Sequence, residues 1–342
     1  MFAHWIKIRV FNSHLKYEMK TDWIENRRGK YAVFAIYPGT TTVQSCLRIL
    51  KSLTENHFTV LVVVNKNRFA REWIQILQNE NCVILERPNL GRDFGAYQSG
   101  IRFLREKVNF LNVSKLVLIN DTAYVSPKCQ TEFLSKFFAQ NEYSCLFKHY
   151  QGVVHASSNL IQIEPVHIDL ESFLYFWKKY YPYNSRLKVV FRGEHELSKK
   201  IGVDYLRPAS KKIELLPAEL LPEERAQMYR WIYRSNPDIL ISQGYQGLLE
   251  KDSDKELVRF AFENSQVSNA LGLFLTRKYN FPIKLDLSYY LLVSKASIIE
   301  VLRKSGCDDA EIYDVESLLE SKGSINLGSP LERAFKSIGI RN

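Results

Sequence analysis

"YAVFAIYPGTTTVQSCLRILKSLTENHFTVLVVVN", residues 31–65, places a helical pattern between two short apolar runs. The first run stops at Pro38-Gly39, a pair that ends strands, and apolar residues then recur on one helical face: Val43, Cys46, Leu47, Leu50 and Leu53. The second run, residues 58–65, is rich in β-branched side chains, which favour strands. The stretch therefore predicts a strand, a helix and a second strand, the repeating unit of a parallel sheet covered by helices.

The same alternation continues along the chain. A second helical pattern at 68–81 and a third strand at 82–88 are predicted. A third helix at 92–108 and a fourth strand at 114–127 follow. We expect an α/β fold with a Rossmann-like, mostly parallel sheet flanked by helices. A bridge that contains Pro and Glu, residues 215–225, leads into further helical patterns. We therefore expect one domain over residues 1–214 and a mostly helical accessory region over 215–342.

Composition excludes several classes of protein. The longest apolar runs, such as residues 58–64, fall far short of the ~18–20 residues that a membrane-spanning helix needs. Charges interrupt the apolar positions of the amino-terminal stretch, which is unlike a signal peptide, so we expect a cytoplasmic protein. The five cysteines are widely spaced and include no Cys-x-x-Cys pair, which argues against a disulfide framework and a zinc site. We expect them to be buried as small apolar side chains.

The chain carries 47 basic and 37 acidic residues, a net charge of +10, which suggests an anionic partner. Nucleic acid, a phosphorylated or diphosphate ligand and an acidic membrane surface all fit that charge. Small basic pairs such as Lys178-Lys179 and Lys199-Lys200 are typical of a solvated face, and no recognised nucleic-acid-binding module is visible. Nucleic acid is therefore the partner that we expect least.

The carboxyl ends of parallel strands share one edge of a sheet, where ligands bind. This edge should contain Tyr37, Asn65, the segment Arg87 to Asp93, and Asn120 to Thr122. Within "NLGRDFGAYQSGI", residues 89–101, Gly91 allows close approach of a ligand, and free amides at a helix start favour phosphate. Arg92 could add a phosphate contact. An alternative remains, in which Gly91 only shapes a turn, Asp93 caps the helix and Arg92 is solvated.

Two further groups could carry chemistry. Asp121 follows an apolar strand, where a carboxylate can bind a ribose or a divalent metal ion, although Asn120-Asp121-Thr122 is also a common strand-ending turn. Glu194 and His195 are candidates for a general base, although acids at that position also suit the start of a helix. A lone histidine such as His155 is more often structural.

Taken in order, these segments resemble a GT-A glycosyltransferase, and more narrowly the rhamnan synthesis protein F family of polysaccharide-assembly proteins. The family's Asn-x-Gly-Arg-Asp and Asn-Asp-Ser/Thr motifs match Asn89–Asp93 and Asn120–Thr122. "HASSNLIQI" (155–163), "GEHELSKKI" (193–201) and "NFPIKLDL" (280–287) resemble later family segments and point to His155, Ser158, Glu194 and Lys284. The resemblance covers about residues 31–290.

The resemblance implies a nucleoside-diphosphate sugar as donor, with rhamnose the sugar suggested by the family, and a polysaccharide or lipid-linked glycan as acceptor. Glu194 or His195 would deprotonate the acceptor hydroxyl, and Asp121 would take part in catalysis and hold Mg²⁺ or Mn²⁺. The implied donor-binding residues are Tyr37, Asn65, Arg87, Asn89, Gly91, Arg92, Asp93, Asn120, His155, Ser158 and Lys284. A lipid-carried acceptor would favour peripheral contact with an anionic membrane at the inner face of the cell membrane.

Two departures from the GT-A pattern leave alternatives open. "VNKN" stands where many of these enzymes have an acid after the second strand, and Asn-Asp-Thr replaces Asp-x-Asp. Basic residues such as Arg87 or Arg92 would neutralise the leaving diphosphate if no metal ion does so. The missing acid also fits a second hypothesis, a non-catalytic binding or scaffold subunit of a polysaccharide-assembly complex.

Overall fold

Four apolar runs form the parallel centre of a sheet. The computed structural model describes residues 16–18, 29–140, 143–150, 153–209, 219–235 and 254–323. The central strands are β2 (Gly29–Ile36), β3 (Phe58–Lys66), β4 (Val83–Pro88) and β5 (Val113–Asn120). Their side chains are buried on both faces, as expected when helices cover both sides of a parallel sheet.

Among the described residues the sheet has eight strands, in the order β1-β4-β3-β2-β5-β9-β6-β10. The outer strands are β1 (Lys16–Glu18), β6 (Ser144–Cys145), β9 (Leu160–Ile163) and β10 (Arg207–Pro208). β9 runs antiparallel to β5, and β1 runs antiparallel to β4. A separate antiparallel pair comprises β7 (Lys148–His149) and β8 (His155–Ala156). The predicted α/β fold with a mostly parallel sheet is confirmed.

The chain runs outward from β2 to β3 and β4, then returns to place β5 on the other side of β2. Strand order therefore reverses between β2 and β5. At such a reversal the connections leave in opposite directions, and a crevice opens beyond the carboxyl ends of the two strands. Tyr37 and Asp121 follow these two strands directly.

Successive residues of β2 face two different cores. Phe34 and Ile36 lie in the core covered by α1 (Val43–Glu55), α2 (Ala70–Leu77) and α4 (Ser135–Ala139). Val33 and Ala35 lie in the core covered by α3 (Arg92–Lys107), α5 (Leu170–Lys179), α6 (Arg186–Val189) and α7 (His195–Lys200). A π-helical turn, Val190–Glu194, joins α6 to α7.

The carboxyl-terminal part is helical, as predicted. It contains α8 (Pro222–Ser235), α9 (Asp254–Asn264), α10 (Val267–Ala270), α11 (Gly272–Tyr279), α12 (Asp286–Tyr289), α13 (Lys295–Lys304) and α14 (Asp309–Lys322). Met228, Phe262 and Phe274 pack in the same core as Phe34. The predicted domain boundary at 214/215 lies outside the described residues.

Two further expectations concern cysteines and membrane spans. All five cysteines are buried and unpaired, which confirms their predicted role as small apolar side chains. Within the part of the chain that the structure describes, no helix combines the length and apolar character needed to cross a membrane.

Helix α3 lies so close to the sheet that a glycine is required at its middle. A Cβ added to Gly100 would lie 2.4 Å from Val33 Cγ1, and Val33 is fully buried. We expect Gly100→Ala to lower the free energy of unfolding by about 1–3 kcal/mol, because overpacking must displace the helix or the strand. Denaturant unfolding measures this change.

Gly272→Ala is the matched control. Its Cβ would meet the flexible end of Leu287, with the nearest atom at 2.9 Å, so the neighbour can move at low cost. Equal destabilisation of the two variants would contradict the tight packing of α3 on β2.

Candidate functional site

Asp121 lies at the point where strand order reverses. Its Oδ2 accepts hydrogen bonds from the Tyr37 N–H at 2.8 Å and the Thr40 hydroxyl at 3.0 Å. The carboxylate thereby fixes the loop after β2 against the end of β5. Burial raises the pKa of Asp121 to about 7, and these hydrogen bonds offset only part of the rise. The Tyr37 hydroxyl in turn lies 3.4 Å from Asn89 Nδ2.

Asp93, Asn120 and Ser158 form a hydrogen-bonded cluster beside Asp121. Asp93 Oδ2 accepts from the Ser158 hydroxyl at 2.9 Å and from Asn120 Nδ2 at 3.1 Å. The three residues come from the start of α3, the end of β5 and the turn before β9. Burial raises the pKa of the Asp93 carboxyl, and the nearby Glu194 carboxylate raises it further. The cluster brings together both motifs of the family resemblance and one of its later segments.

Glu194 approaches the same cluster from the other side. Its Oε1 accepts from the Ser158 N–H at 3.2 Å, and its Oε2 lies 3.7 Å from His155 Nε2. His155 Nδ1 is 2.7 Å from the Val153 carbonyl, and because a carbonyl only accepts, Nδ1 carries a proton. The His155 ring is therefore held with Nε2 facing the Glu194 carboxylate.

His195 faces a different direction from Glu194. Its ring packs on the His155 ring with centroids 4.5 Å apart, and on Phe191 at 5.2 Å. It lines a groove on the outer face of the segment from α6 to α7, together with Phe191. Burial lowers the pKa of His195, and His155 lowers it further. Of the two predicted bases, Glu194 is the one in contact with the Asp93–Ser158 cluster.

Lys284 reaches this edge from the carboxyl-terminal part. The neighbouring Ile283 forms an antiparallel bridge with Tyr124, with N···O distances of 2.7 and 3.0 Å, which fixes the segment beside the end of β5. Burial and the nearby Arg186 lower the pKa of Lys284 to about 8, although Glu194 and Asp93 act to raise it. The ammonium group therefore lies within the electrostatic reach of both carboxylates.

Two predicted donor-binding residues lie beneath this edge. Arg87 is 1% exposed, and its guanidinium donates to Ser99, Asn65 and the Leu90 carbonyl. Asn65, its partner in register on β3, is also buried and donates to the Ile36 carbonyl. Because the polar groups of both side chains bond to each other and to backbone carbonyls, a supporting role is favoured over direct ligand contact.

The start of α3 has the features of the structural alternative, and ligand contact by this turn stays a prediction. Gly91 has φ +81°, its N–H donates to Asn184 Oδ1, and a Cβ there would collide with Pro182. Asp93 Oδ1 accepts from the Phe94 N–H, so the carboxylate also caps the helix. Arg92 is exposed and has φ +55°, a left-handed conformation that is uncommon for a side chain other than glycine. Arg92 is the residue of this turn that faces solvent.

The described residues around Asp121 do not make a metal site from protein side chains alone, since no group of three or more His, Cys, Asp or Glu side chains among them could hold a metal ion. Asp121 uses Oδ2 to hold Tyr37 and Thr40. Binding of Mg²⁺ or Mn²⁺ by Asp121 together with the phosphates of a donor therefore stays a prediction. Side chains bring positive charge to this edge, with Lys284 beside Arg186 and Lys322 near Asp121.

Several residues that support the site have no distinctive sequence signal. Tyr97 donates to the Ser158 carbonyl at 2.7 Å, and Gln98 donates to the carbonyls of Trp177 and Tyr180. Both lie on the buried face of α3, where the apolar stripe predicts packing alone. Thr40 contributes a hydroxyl to Asp121 from a run of three threonines that looks like an ordinary loop.

No protein-family model matches the sequence, and no curated protein matches it either. Function must therefore be inferred from the residues and geometry of this edge.

Proposed function

We propose that the protein is a glycosyltransferase that moves a sugar from a nucleoside-diphosphate donor to a polysaccharide or lipid-linked glycan. One observation carries the proposal. Asp93, Asn120, Ser158 and Glu194, which come from four separate segments, share hydrogen bonds at the carboxyl edge of the parallel strands. These are residues that the resemblance selected, and ligands bind at this edge of open α/β sheets.

The order of elements supports the same assignment. β2 ends in the turn at Tyr37, β4 leads into the glycine-containing start of α3, and β5 ends at Asn120 and Asp121. This is the succession that the GT-A resemblance implies. Rhamnose remains the sugar that this resemblance suggests, so a nucleoside-diphosphate rhamnose is the first donor to test.

The proposed donor lies along the crevice from Asp121 to Lys284. A ribose hydroxyl would donate to Asp121, beside Tyr37 and the exposed Asn89. The diphosphate would face Lys284 and Arg92, whose charges suit an anion. A cation near the departing oxygen lowers the barrier most because negative charge develops there in the transition state. Arg87 and Asn65 would hold the edge rather than touch the donor.

Glu194 is the proposed general base. It would remove the proton from the acceptor hydroxyl while that oxygen bonds to the anomeric carbon and the bond to the diphosphate breaks. The electron pair of the broken bond leaves with the diphosphate, close to Lys284. Ser158 would orient Glu194 through the hydrogen bond that its N–H donates to Oε1.

One observation favours the second hypothesis, a non-catalytic binding or scaffold subunit. Both oxygens of Asp93 are already engaged by Phe94, Asn120 and Ser158, as in a purely structural cap. Calorimetry with nucleoside diphosphates separates the two hypotheses. Glycosyltransferase activity requires binding, whereas absence of binding with and without Mg²⁺ or Mn²⁺ would favour the scaffold.

Asp121→Asn tests the nucleoside side of the site. Asn keeps an oxygen that accepts from Tyr37 and Thr40, so the fold should persist. The folded-state pKa of Asp121, about 7, lies above the ordinary aspartate value of 3.8, so the folded state favours the protonated carboxyl. The protonated carboxyl therefore stabilises the folded state by up to about 4 kcal/mol. This stabilisation is fully present below pH ~4 and is lost as the pH rises through ~7.

We therefore expect Asp121→Asn to match or exceed the wild type in melting temperature at pH 8, with the advantage shrinking towards pH 4. The same variant should lose at least about tenfold in nucleoside-diphosphate affinity, since it lacks the charged acceptor. Calorimetry and thermal unfolding across this pH range measure the two effects. Unchanged affinity would remove Asp121 from the donor site.

Lys284→Met tests the diphosphate side. Removal of the ammonium should weaken nucleoside-diphosphate binding by about 10–100-fold, the usual loss for a charge-assisted hydrogen bond. Because the pKa of Lys284 is about 8, wild-type affinity should also fall as the pH rises through that value. Lys284→Arg is the matched control, since arginine stays charged and should flatten this pH dependence. A wild-type profile in the methionine variant would contradict the proposed contact.

Glu194→Gln separates catalysis from donor binding. Glutamine still accepts from the Ser158 N–H but cannot act as a base. We expect about a 10²–10⁴-fold fall in the transfer rate with little change in nucleoside-diphosphate affinity. His195→Gln, at the next position, serves as the comparison and should keep most of its activity. Radiolabelled transfer measures the rate, and a larger loss in the His195 variant would reassign the base.

A further inference from the structure

We propose that the outer face of the segment from α6 to α7 docks on an anionic membrane surface. The face comprises Val153, Leu187, Lys188, Phe191, Arg192, His195, Glu196 and Lys199, and is called the outer groove below. The proposal needs no donor, acceptor or catalytic step, so it can fail or succeed independently of the glycosyltransferase assignment.

The outer groove exposes three large apolar side chains. Phe191 is 57% exposed, Leu187 is 51% exposed and Val153 is 49% exposed. Leu187, Phe191 and His195 are four residues apart along one continuous helical segment, so they form a single stripe. Burying such a stripe in a bilayer interface removes its apolar surface from water.

Basic side chains flank that stripe. Lys188, Arg192 and Lys199 lie in the same groove, with Glu196 as the one acid that lines it. Lys199 is paired with Glu196 at 3.0 Å, which leaves Lys188 and Arg192 to supply the net positive charge. An apolar stripe bordered by Lys and Arg is the pattern of helices that lie in an anionic membrane interface.

A second groove, on α13 and α14, provides an internal comparison. It is lined by Lys295, Arg303 and Lys304 together with Glu300, Glu316 and Glu320, so its charges balance. Among the described residues of α14, Tyr313 is the one large apolar side chain that is exposed. The combination of net positive charge and an exposed apolar stripe therefore distinguishes the outer groove.

The chemistry of the stripe favours lipid over the other anionic partners. Leu187 and Val153 offer neither an aromatic face on which a nucleic-acid base could stack nor a polar group that could bind a glycan, and Phe191 is the one aromatic ring among the three exposed apolar side chains. Acyl chains and anionic headgroups match both components of the face.

Vesicle flotation tests the proposal with the full chain. We expect binding to vesicles of equal parts phosphatidylglycerol and phosphatidylcholine, weaker binding at high salt, and little binding to phosphatidylcholine alone. Lys188→Gln with Arg192→Gln should lower the partition coefficient about 25-fold, from about fivefold for each charge near the surface. Leu187→Ser with Phe191→Ser should lower it by at least about tenfold.

Two control variants keep the test specific. Arg303→Gln with Lys304→Gln removes two exposed charges from the balanced groove, and Tyr313→Ser removes an exposed apolar side chain. Both should bind vesicles within about twofold of the wild type, since neither lies in the outer groove. All the substituted side chains are exposed, so folding should be retained and can be checked by thermal unfolding.

Three results would overturn the proposal. These are binding of the wild type to neither type of vesicle, equal binding to both types, and a loss of affinity in the outer-groove variants no larger than in the controls. Concentration-dependent self-association that the Leu187/Phe191 variant abolishes, without vesicle binding by the wild type, would assign the face to a second copy of the chain instead.

Discussion

Ser158 holds two carboxylates in place with two different groups. Its hydroxyl donates to Asp93, and its backbone N–H donates to Glu194. Carboxylates this close repel each other in a poorly solvated site, which is why Glu194 raises the pKa of Asp93. The hydrogen bonds to Ser158, together with the charge of Lys284, offset this repulsion. The start of α3, the turn before β9 and the π-helical turn before α7 all depend on this one residue for their relative placement.

The polar residues of the edge divide into two layers. The lower layer contains Arg87 and Asn65, which bond to each other and to backbone carbonyls. A buried guanidinium is costly unless its donors are satisfied, and here that requirement fixes the loop at Leu90. The upper layer contains Glu194, Lys284 and Asp121, whose charges the residues of the neighbouring strands do not neutralise. A rigid lower layer keeps the upper one in a fixed geometry, as ligand binding and catalysis require.

The strands and α3 could be predicted because burial on a sheet imposes a periodic apolar pattern. The positions of Asn120, Asp121 and Glu194 could also be predicted, since strand ends and helix starts can be located along the chain. The pairing of Asn65 with Arg87 was not, because it depends on the register between β3 and β4. Nor could periodicity place Lys284, whose position depends on a two-bond bridge between Ile283 and Tyr124, which are far apart in the sequence.

The bridge between Ile283 and Tyr124 gives the carboxyl-terminal region a direct part in the candidate site. Its helices share a core with β2, and Arg48 on α1 pairs with Glu311 on α14, so the region is fixed to the sheet by apolar and ionic contacts. The edge formed by the strands alone would contain the carboxylates of Asp93, Asp121 and Glu194 without Lys284. Such a site would repel a diphosphate. The residues from 281 to 290 supply the cation, and Tyr290 bonds to Arg186 beside it. The region that the sequence marks as an accessory therefore determines the charge of the candidate site.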